Sequence, residues 1–460
     1  MTDRSPARVR AVSLLAALAV LTTLVVLIAA CGSSGGSSSG SPSSATTGSP
    51  GALPAPTRGT SITIDYHYPS PPKSLLQQFT NQTGVKVNWV EVGWDNLQTK
   101  IATAAGSNTY FADLTDVDWS KVGQYYRTKW FQPLNQYFSA SALKSDMPQI
   151  DTFTSNGQLL AMPFDASFTV TTVNTKLFKA AGQSTTPATI TDYTNALNAI
   201  KAKGTVTAPL DIPFAAAEGL STYWYQTTAA FGGSVLDASY SPLFTSPSSA
   251  GYKALQWMVN AYKTGLVPKA NIGVADYQGF TTEMAQGRVA SVFSDYSGSV
   301  GSIYDVPSSS KVVGQVQYIP TPGTGAGTVP NLANPDGIGI PKTAKNVAGA
   351  LAFIKWFTST QNQAIWAGLN GPSDVISGFP LPARVSSLQM LNGKVAGAAQ
   401  LATLLKTSRA QFPGPGAPPW YAQFSNAVYT NIHQAAAGSE SVQQAVTNIA
   451  NQANALKSSG

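Results

Sequence analysis

The chain of 460 residues is sparsely charged, since charged residues make up 11% of it, and its formal net charge is +7. The basic residues are scattered and form no block or stripe, so the composition does not indicate a nucleic-acid-binding protein. A single cysteine excludes an internal disulfide bond. Stability must therefore come from buried cores, and a folded part of roughly four hundred residues usually divides into two of them.

The first thirty residues have the plan of a secretory signal peptide. Three arginines precede an apolar run over residues 11–28, and two alanines then lead into Cys31. The stretch 28–31, Ile-Ala-Ala-Cys, resembles the lipobox of bacterial lipoproteins, in which the cysteine is acylated and becomes the first residue after cleavage. We expect residues 1–30 to be removed, Cys31 to carry the lipid, and residues 31–60, rich in Gly, Ser and Pro, to form a flexible tether. A plain signal peptide and an uncleaved membrane anchor are the alternatives.

Strand and helix patterns alternate after the tether. Alternating apolar residues predict a strand over residues 61–66, and an apolar stripe at Leu75, Leu76 and Phe79 predicts a helix that ends before Gly84. A second strand, a second helix and a third strand follow over residues 85–117. This order predicts a largely parallel α/β sheet, whose ligands lie at the carboxyl ends of the strands. Six polar or aromatic residues fall at those predicted ends: His67, Tyr68, Glu91, Trp94, Asp118 and Trp119.

Several segments in the rest of the chain resemble one known family. They are "GQLLAMPF" (157–164), "VTTVNTKLF" (170–178), "FTTEMA" (280–285) with "GRVASV" (287–292), "GIGIPKTAKN" (337–346) and "GFPLPAR" (378–384). In order and spacing they are similar to the extracellular solute-binding proteins of ABC importers, sugar-binding group, which includes maltose-binding protein. The chain departs from the family pattern where Arg288 replaces the usual lysine and Val292 the usual methionine.

The resemblance implies a two-lobed α/β periplasmic-binding-protein fold, type II-like, with a multi-strand hinge and a ligand cleft between the lobes. The first lobe is expected to comprise residues 61–165 and 337–391, and the second residues 166–336 and 392–460. The implied function is capture of a carbohydrate, a disaccharide or oligosaccharide, by lobe closure and its delivery to the membrane permease subunits of an ABC importer. The resemblance further implies a monomer without cofactor or enzymatic activity, which the lipid anchor holds at the outer face of the bacterial cytoplasmic membrane.

Sugar rings pack on aromatic faces, and their hydroxyl groups pair with carboxylates and amides. The candidate ligand-binding residues are therefore aromatic and acidic residues near predicted strand ends, hinge crossings and family cleft positions: Glu91, Trp94, Asp118, Trp119, Asp165, Glu218, Tyr223, Trp224, Asp295, Tyr296, Asp336, Trp420 and Tyr421. Each aromatic residue in this set has packing in a core as its alternative interpretation.

Two other classes of protein remain open. A binding lipoprotein for a non-sugar solute would use an acidic, aromatic box for a polyamine, or paired tyrosines such as Tyr125 and Tyr126 for ferric ion. A secreted glycoside-active enzyme would need two carboxylates at a fixed separation in space, which a sequence does not reveal. The two histidines, His67 and His433, are far apart in sequence and share no motif, so no metal site is expected.

Overall fold

The computed structural model describes residues 51–275, 277–325, 329–371, 381–413 and 416–459. Cys31 and the first three residues of the "GFPLPAR" segment therefore lie outside the described residues. None of the helices in the described part combines the length and the apolar character needed to cross a membrane.

The first part of the chain alternates strands with helices, as the sequence predicts. Its elements are β1 (Ser61–Tyr66), α1 (Lys73–Thr83), β2 (Lys86–Glu91), α2 (Trp94–Ser107), β3 (Leu114–Asp118), α3 (Val122–Thr128), α4 (Ala140–Leu143), β4 (Thr154–Ser155), β5 (Gln158–Leu159) and β6 (Met162–Pro163). The three strands and two helices predicted over residues 61–117 are thus confirmed. Gly84 ends α1 in the left-handed conformation, which glycine adopts without a steric penalty.

The middle of the chain is richer in helices. Its elements are β7 (Thr169–Asn174), α5 (Thr175–Ala180), α6 (Ile190–Ala202), β8 (Leu210–Asp211), α7 (Glu218–Ala230), α8 (Ala250–Lys263), α9 (Tyr277–Ala285), β9 (Ser291–Tyr296), β10 (Val316–Ile319) and β11 (Leu332–Ala333). Hydroxyl and amide side chains begin several of these helices: Asn174 caps α5, Thr189 caps α6 and Ser249 caps α8.

The last part of the chain returns to the first sheet and then adds helices. Its elements are β12 (Asp336–Gly339), α10 (Val347–Phe357), α11 (Thr360–Trp366), α12 (Val385–Met390), α13 (Ala398–Leu405), β13 (Arg409–Ala410), α14 (Tyr421–Ala437) and α15 (Val442–Ser459).

Two mixed sheets define two lobes. In the first lobe the strand order is β2-β1-β3-β12-β6, with β1 parallel to β2 and β3, and β12 antiparallel to β3 and β6. In the second lobe the order is β10-β7-β9-β8, with β7 antiparallel to both of its neighbours. One apolar core surrounds the first sheet, and two further cores lie around the second sheet. The architecture is the two-lobed α/β fold that the sequence predicts.

Three extended segments run side by side between the two sheets. Ala166 donates a backbone hydrogen bond to the carbonyl of Leu381, and Asn334 donates one to the carbonyl of Ser167, at 3.0 Å each. Asp165 also forms an isolated antiparallel bridge with Pro382. Residues 164–168, 333–336 and 381–382 therefore form a hydrogen-bonded junction where the chain passes from one sheet to the other.

Candidate functional site

Strand direction brings the candidate residues of the first lobe to one edge. Strands β1, β2 and β3 are parallel, so their carboxyl ends meet at the same edge of the sheet. Strand β12 runs the opposite way, and its first residue, Asp336, pairs in register with Asp118, the last residue of β3. The antiparallel return thus places a carboxylate from residue 336 beside one from residue 118, although the two are far apart in the sequence.

Four aspartates surround His67 at this edge, which we call the acidic rim: Asp116, Asp118, Asp165 and Asp336. The imidazole Nε2 of His67 lies 3.3 Å from an Asp336 carboxylate oxygen, and its Nδ1 lies 3.9 Å from one of Asp116. One ligand atom from each of these three residues lies within 4.8 Å of the others, a spacing that a metal ion could bridge.

Tyr68 joins two members of the acidic rim. Its hydroxyl donates to Asp165 at 3.0 Å and to Asp336 at 3.1 Å, and the backbone N–H of Asp336 donates to the other Asp165 oxygen at 2.8 Å. Because residues 165 and 336 belong to the junction between the sheets, part of the rim lies on the segments that join the two lobes.

Burial and mutual repulsion shift the protonation of the rim. Burial raises the pKa of Asp165, and the neighbouring charge of Asp336 raises it further, to about 8. Burial and the charge of Asp336 also raise the pKa of Asp116 well above its usual value. Burial alone would lower the pKa of His67, but the charge and hydrogen bond of Asp336 raise it to about 9. These raised pKa values mean that the rim, with four carboxyl groups and one imidazole, favours the binding of protons.

The second lobe contributes an aromatic wall with a carboxylate. Trp119, directly after β3, packs edge-on against Tyr421 with ring centroids 5.0 Å apart and lies 6.4 Å from the ring of Phe412. The Tyr421 hydroxyl donates to Glu218, and the Ser425 hydroxyl donates to the second Glu218 oxygen at 2.6 Å. Trp119 is thus a first-lobe residue whose ring belongs to a second-lobe core.

Glu218 is an exposed residue at the start of α7, but both of its carboxylate oxygens accept hydrogen bonds from helix α14. Burial raises the pKa of its carboxyl to about 7; hydrogen bonds from Ser425 and Tyr421 oppose this shift, and the charge of Asp118 adds to it. Asp118 also interacts electrostatically with Asp336. Asp118, itself a member of the acidic rim, therefore interacts with the carboxylate of the aromatic wall, and we treat the rim and the wall as one candidate site.

Six of the predicted ligand-binding residues converge on this site: Asp118, Trp119, Asp165, Glu218, Asp336 and Tyr421. Two others lie at the open edge of the first sheet. Glu91 is the last residue of β2 and is exposed, and Trp94 begins α2 with 39% of its surface exposed.

Tyr223 and Trp224 lie in the core of the second lobe, because residues 220–230 of α7 are buried on all sides. The Tyr223 hydroxyl donates to the carbonyl of Asp211, and the Trp224 indole N–H donates to that of Gly251, each at 2.9 Å. In this conformation neither ring presents a free face to the cleft, so for these two residues the core interpretation fits the structure.

Asp295 and Tyr296 are the last two residues of β9. The Asp295 carboxylate is buried and accepts hydrogen bonds from Thr172 at 2.6 Å and Tyr304 at 2.8 Å, which makes it part of the second-lobe interior. Trp420 packs against Tyr240 and Phe424 beside the aromatic wall.

Asp116 and Phe412 are site residues that the sequence interpretation does not single out. Asp116 lies two residues before Asp118 in β3, so both side chains project from the same face of the strand. That period of two is a sequence signal for Asp116 once Asp118 is a candidate. Phe412 has no comparable signal, because it reaches the site through tertiary packing against Trp119 and Tyr421.

The fold and the site place the chain among receptors that hold a solute between two lobes. The family model described as bacterial extracellular solute-binding protein matches residues 68–364, and the chain belongs to this family. No curated protein gives a significant match.

Solved structures of similar fold cover most of the chain at low identity. Maltose-bound MalE3 of T. maritima is 18% identical with a TM-score of 0.69, and the match covers 86% of this chain and 100% of that one. A solute-binding protein of Agrobacterium radiobacter K84 in complex with ribitol is 21% identical with a TM-score of 0.71, covering 87% and 100%. The sugar-binding protein MalE of Xanthomonas citri is 17% identical with a TM-score of 0.71, covering 87% and 98%.

Proposed function

We propose that the protein captures a carbohydrate or polyol between its two lobes and delivers it to the membrane permease subunits of an ABC importer. The main support for this proposal is the position of Trp119, whose ring extends from the acidic rim of one lobe into the aromatic wall of the other. Carboxylates beside aromatic rings are the groups that sugar hydroxyls and C–H faces require. The ligands named for similar structures, among them maltose, ribitol, D-mannitol and α-D-tagatose, support the same cargo class.

The site is proposed to bind and not to react. Ligand favours the closed form only through better contacts in that form, so both lobes must touch it. Asp118, Trp119 and Asp336 would contact the cargo from the first lobe, and Glu218 and Tyr421 from the second. The domain boundaries expected from the sequence, a monomeric state and the absence of enzymatic activity are part of this proposal.

Thermal unfolding of the full-length chain in mild detergent tests the cargo. A panel of monosaccharides, disaccharides, oligosaccharides and polyols is added, with the epimers of each hit as controls. At a hundredfold excess over its Kd a specific ligand stabilises the folded state by about 2.7 kcal/mol, which gives a measurable rise in Tm. A rise with one sugar and none with its epimers supports the proposal, and no rise with any member of the panel contradicts it.

A cationic solute such as a polyamine is the second candidate cargo. Four aspartates and Glu218 face the site, while His67 and Lys121 supply the positive charge found among the electrostatic partners of these carboxylates. An ammonium group would relieve the repulsion that raises the pKa of Asp116 and Asp165. Spermidine and putrescine therefore belong in the same unfolding panel, and a response to them alone would favour this candidate over carbohydrate.

We further propose that Cys31 is acylated and anchors the mature protein to the membrane. The proposal rests on the lipobox-like stretch 28–31 and on the tether that follows it. Expression of the full chain and of Cys31→Ala, followed by detergent phase partitioning and intact-mass measurement, tests it. The unchanged chain is expected in the detergent phase with the mass of a diacylglyceryl group. Equal partitioning of both chains would contradict the anchor.

A further inference from the structure

His67, Asp116 and Asp336 come from three different segments and meet on the acidic rim. His67 follows β1, Asp116 lies inside β3, and Asp336 begins β12. One nitrogen or oxygen atom from each lies within 4.8 Å of the other two. An imidazole with two carboxylates is a donor set that divalent transition-metal ions bind well.

Two of these side chains have buried atoms without a hydrogen-bond partner. They are Nδ1 of His67 and Oδ1 of Asp116, and the Asp116 side chain is wholly buried. The other Asp116 oxygen accepts from Gln98 at 2.9 Å, which fixes the carboxylate. A buried acceptor without a partner costs about 1–3 kcal/mol, and more when it is charged. Asp116 can donate a lone pair as a carboxylate, and His67 can do so once an ion displaces its proton, so a Lewis acid bound to these side chains would partner buried atoms that now have none.

We propose that His67, Asp116 and Asp336 bind one divalent transition-metal ion, for which Zn²⁺ is the best match. Zinc takes three protein ligands and leaves a fourth position to water or a ligand. In tetrahedral geometry, bonds of about 2.1 Å place ligand atoms about 3.4 Å apart, so atoms that now lie up to 4.8 Å apart must move closer by as much as about 1.4 Å when the ion binds. His67 and Asp336 are each 13% exposed at the side chain, and they have room to make that adjustment.

The site departs from the expectation that two histidines far apart in sequence give no metal site. The fold brings together ligands that are far apart in the sequence, because the antiparallel return of β12 places Asp336 beside His67, some 270 residues earlier. The ion would lie on the cargo side of the first lobe, but its binding does not depend on the cargo being a sugar.

Metal titration of the full-length chain, without a histidine tag and after treatment with a chelator, tests the proposal. Zn²⁺ binding is measured by calorimetry, and Co²⁺ binding by its visible absorption, which reports the ligand set. His67→Gln and Asp116→Asn remove one ligand each. His433→Gln is the matched control, because His433 is the second of the two histidines and its Nδ1 contacts the carbonyl of Phe214.

The expected result is one Zn²⁺ ion per chain, with affinity reduced at least about tenfold in His67→Gln and Asp116→Asn. The His433→Gln control should bind Zn²⁺ with unchanged affinity. Circular dichroism establishes that each variant is folded. Failure of the folded chain to bind Zn²⁺ at one ion per chain overturns the proposal, and so does binding that persists in His67→Gln. Because the probe is the metal alone, a negative result here leaves the carbohydrate panel informative.

Discussion

Replacing Trp119 by alanine tests whether the lobes touch in the free protein. The Trp119 ring is 7% exposed and packs against Tyr421 and Phe412 of the second lobe. Replacing a buried tryptophan by alanine costs about 3–5 kcal/mol, from lost burial and the cavity left behind. We therefore expect Trp119→Ala to lower the free energy of unfolding by about 3 kcal/mol or more.

Urea unfolding of the full-length chain, followed by circular dichroism, measures this loss. Trp356→Ala is the control, because Trp356 packs against Phe79 and Phe353 within the first lobe and its loss does not depend on lobe contact. If Trp119→Ala costs less than about 1 kcal/mol while Trp356→Ala is clearly destabilising, the contact between Trp119 and the second lobe is absent in solution. The argument for one continuous site would then fail for the free protein.

Three further predictions concern packing, capping and pH. A Cβ at Gly123 would lie 2.1 Å from the carbonyl oxygen of Ala417, so Gly123→Ala should lower the free energy of unfolding in urea by about 1–3 kcal/mol. A Cβ at Gly106 meets no atom within 4 Å, so the control Gly106→Ala should not destabilise the protein. Equal effects of the two substitutions would contradict the predicted clash. The Asp113 carboxylate accepts four hydrogen bonds, two of them from the backbone just before α10. Asp113→Ala should therefore lower the free energy of unfolding by at least about 2 kcal/mol in the same assay. A change within experimental error would show that these bonds contribute little to stability. Burial raises the pKa of Asp211 from 3.8 to about 7, so the folded state holds a proton that the unfolded state has lost between these pH values. The stability that this group contributes is present at low pH and is lost as the pH rises to about 7. The Tm of Asp211→Asn relative to the unchanged chain should therefore be higher at pH 8 than at pH 5. The opposite order would refute the raised pKa of Asp211.

The parts of the fold that depend on local pattern are predictable from the sequence. Strands β1 to β3 and helices α1 and α2 appear where alternation and helical spacing place them. These features are set by residues close together in the chain or by one periodic face.

The site is less predictable because its members meet through long-range pairing. Asp336 reaches Asp118 only through the register of β12 against β3, and Trp119 reaches Tyr421 only through packing between lobes. Tyr223 and Trp224 were expected at the ligand site but lie in the core. Helix α7 is buried on every side, so it has no polar face from which the sequence could distinguish core residues from cleft residues.

Under the proposed function, a ligand bound at the acidic rim acts directly on the segments that join the lobes. Asp165 and Asp336 lie on adjacent crossing segments and are tied together by the Asp336 N–H and the Tyr68 hydroxyl. A cargo or cation that neutralises these carboxylates changes the repulsion between the segments that join the lobes. A ligand that also reaches Glu218 touches the second lobe, so its binding energy differs between open and closed forms. That difference, and not affinity for either lobe alone, determines how far a solute can shift the protein towards closure.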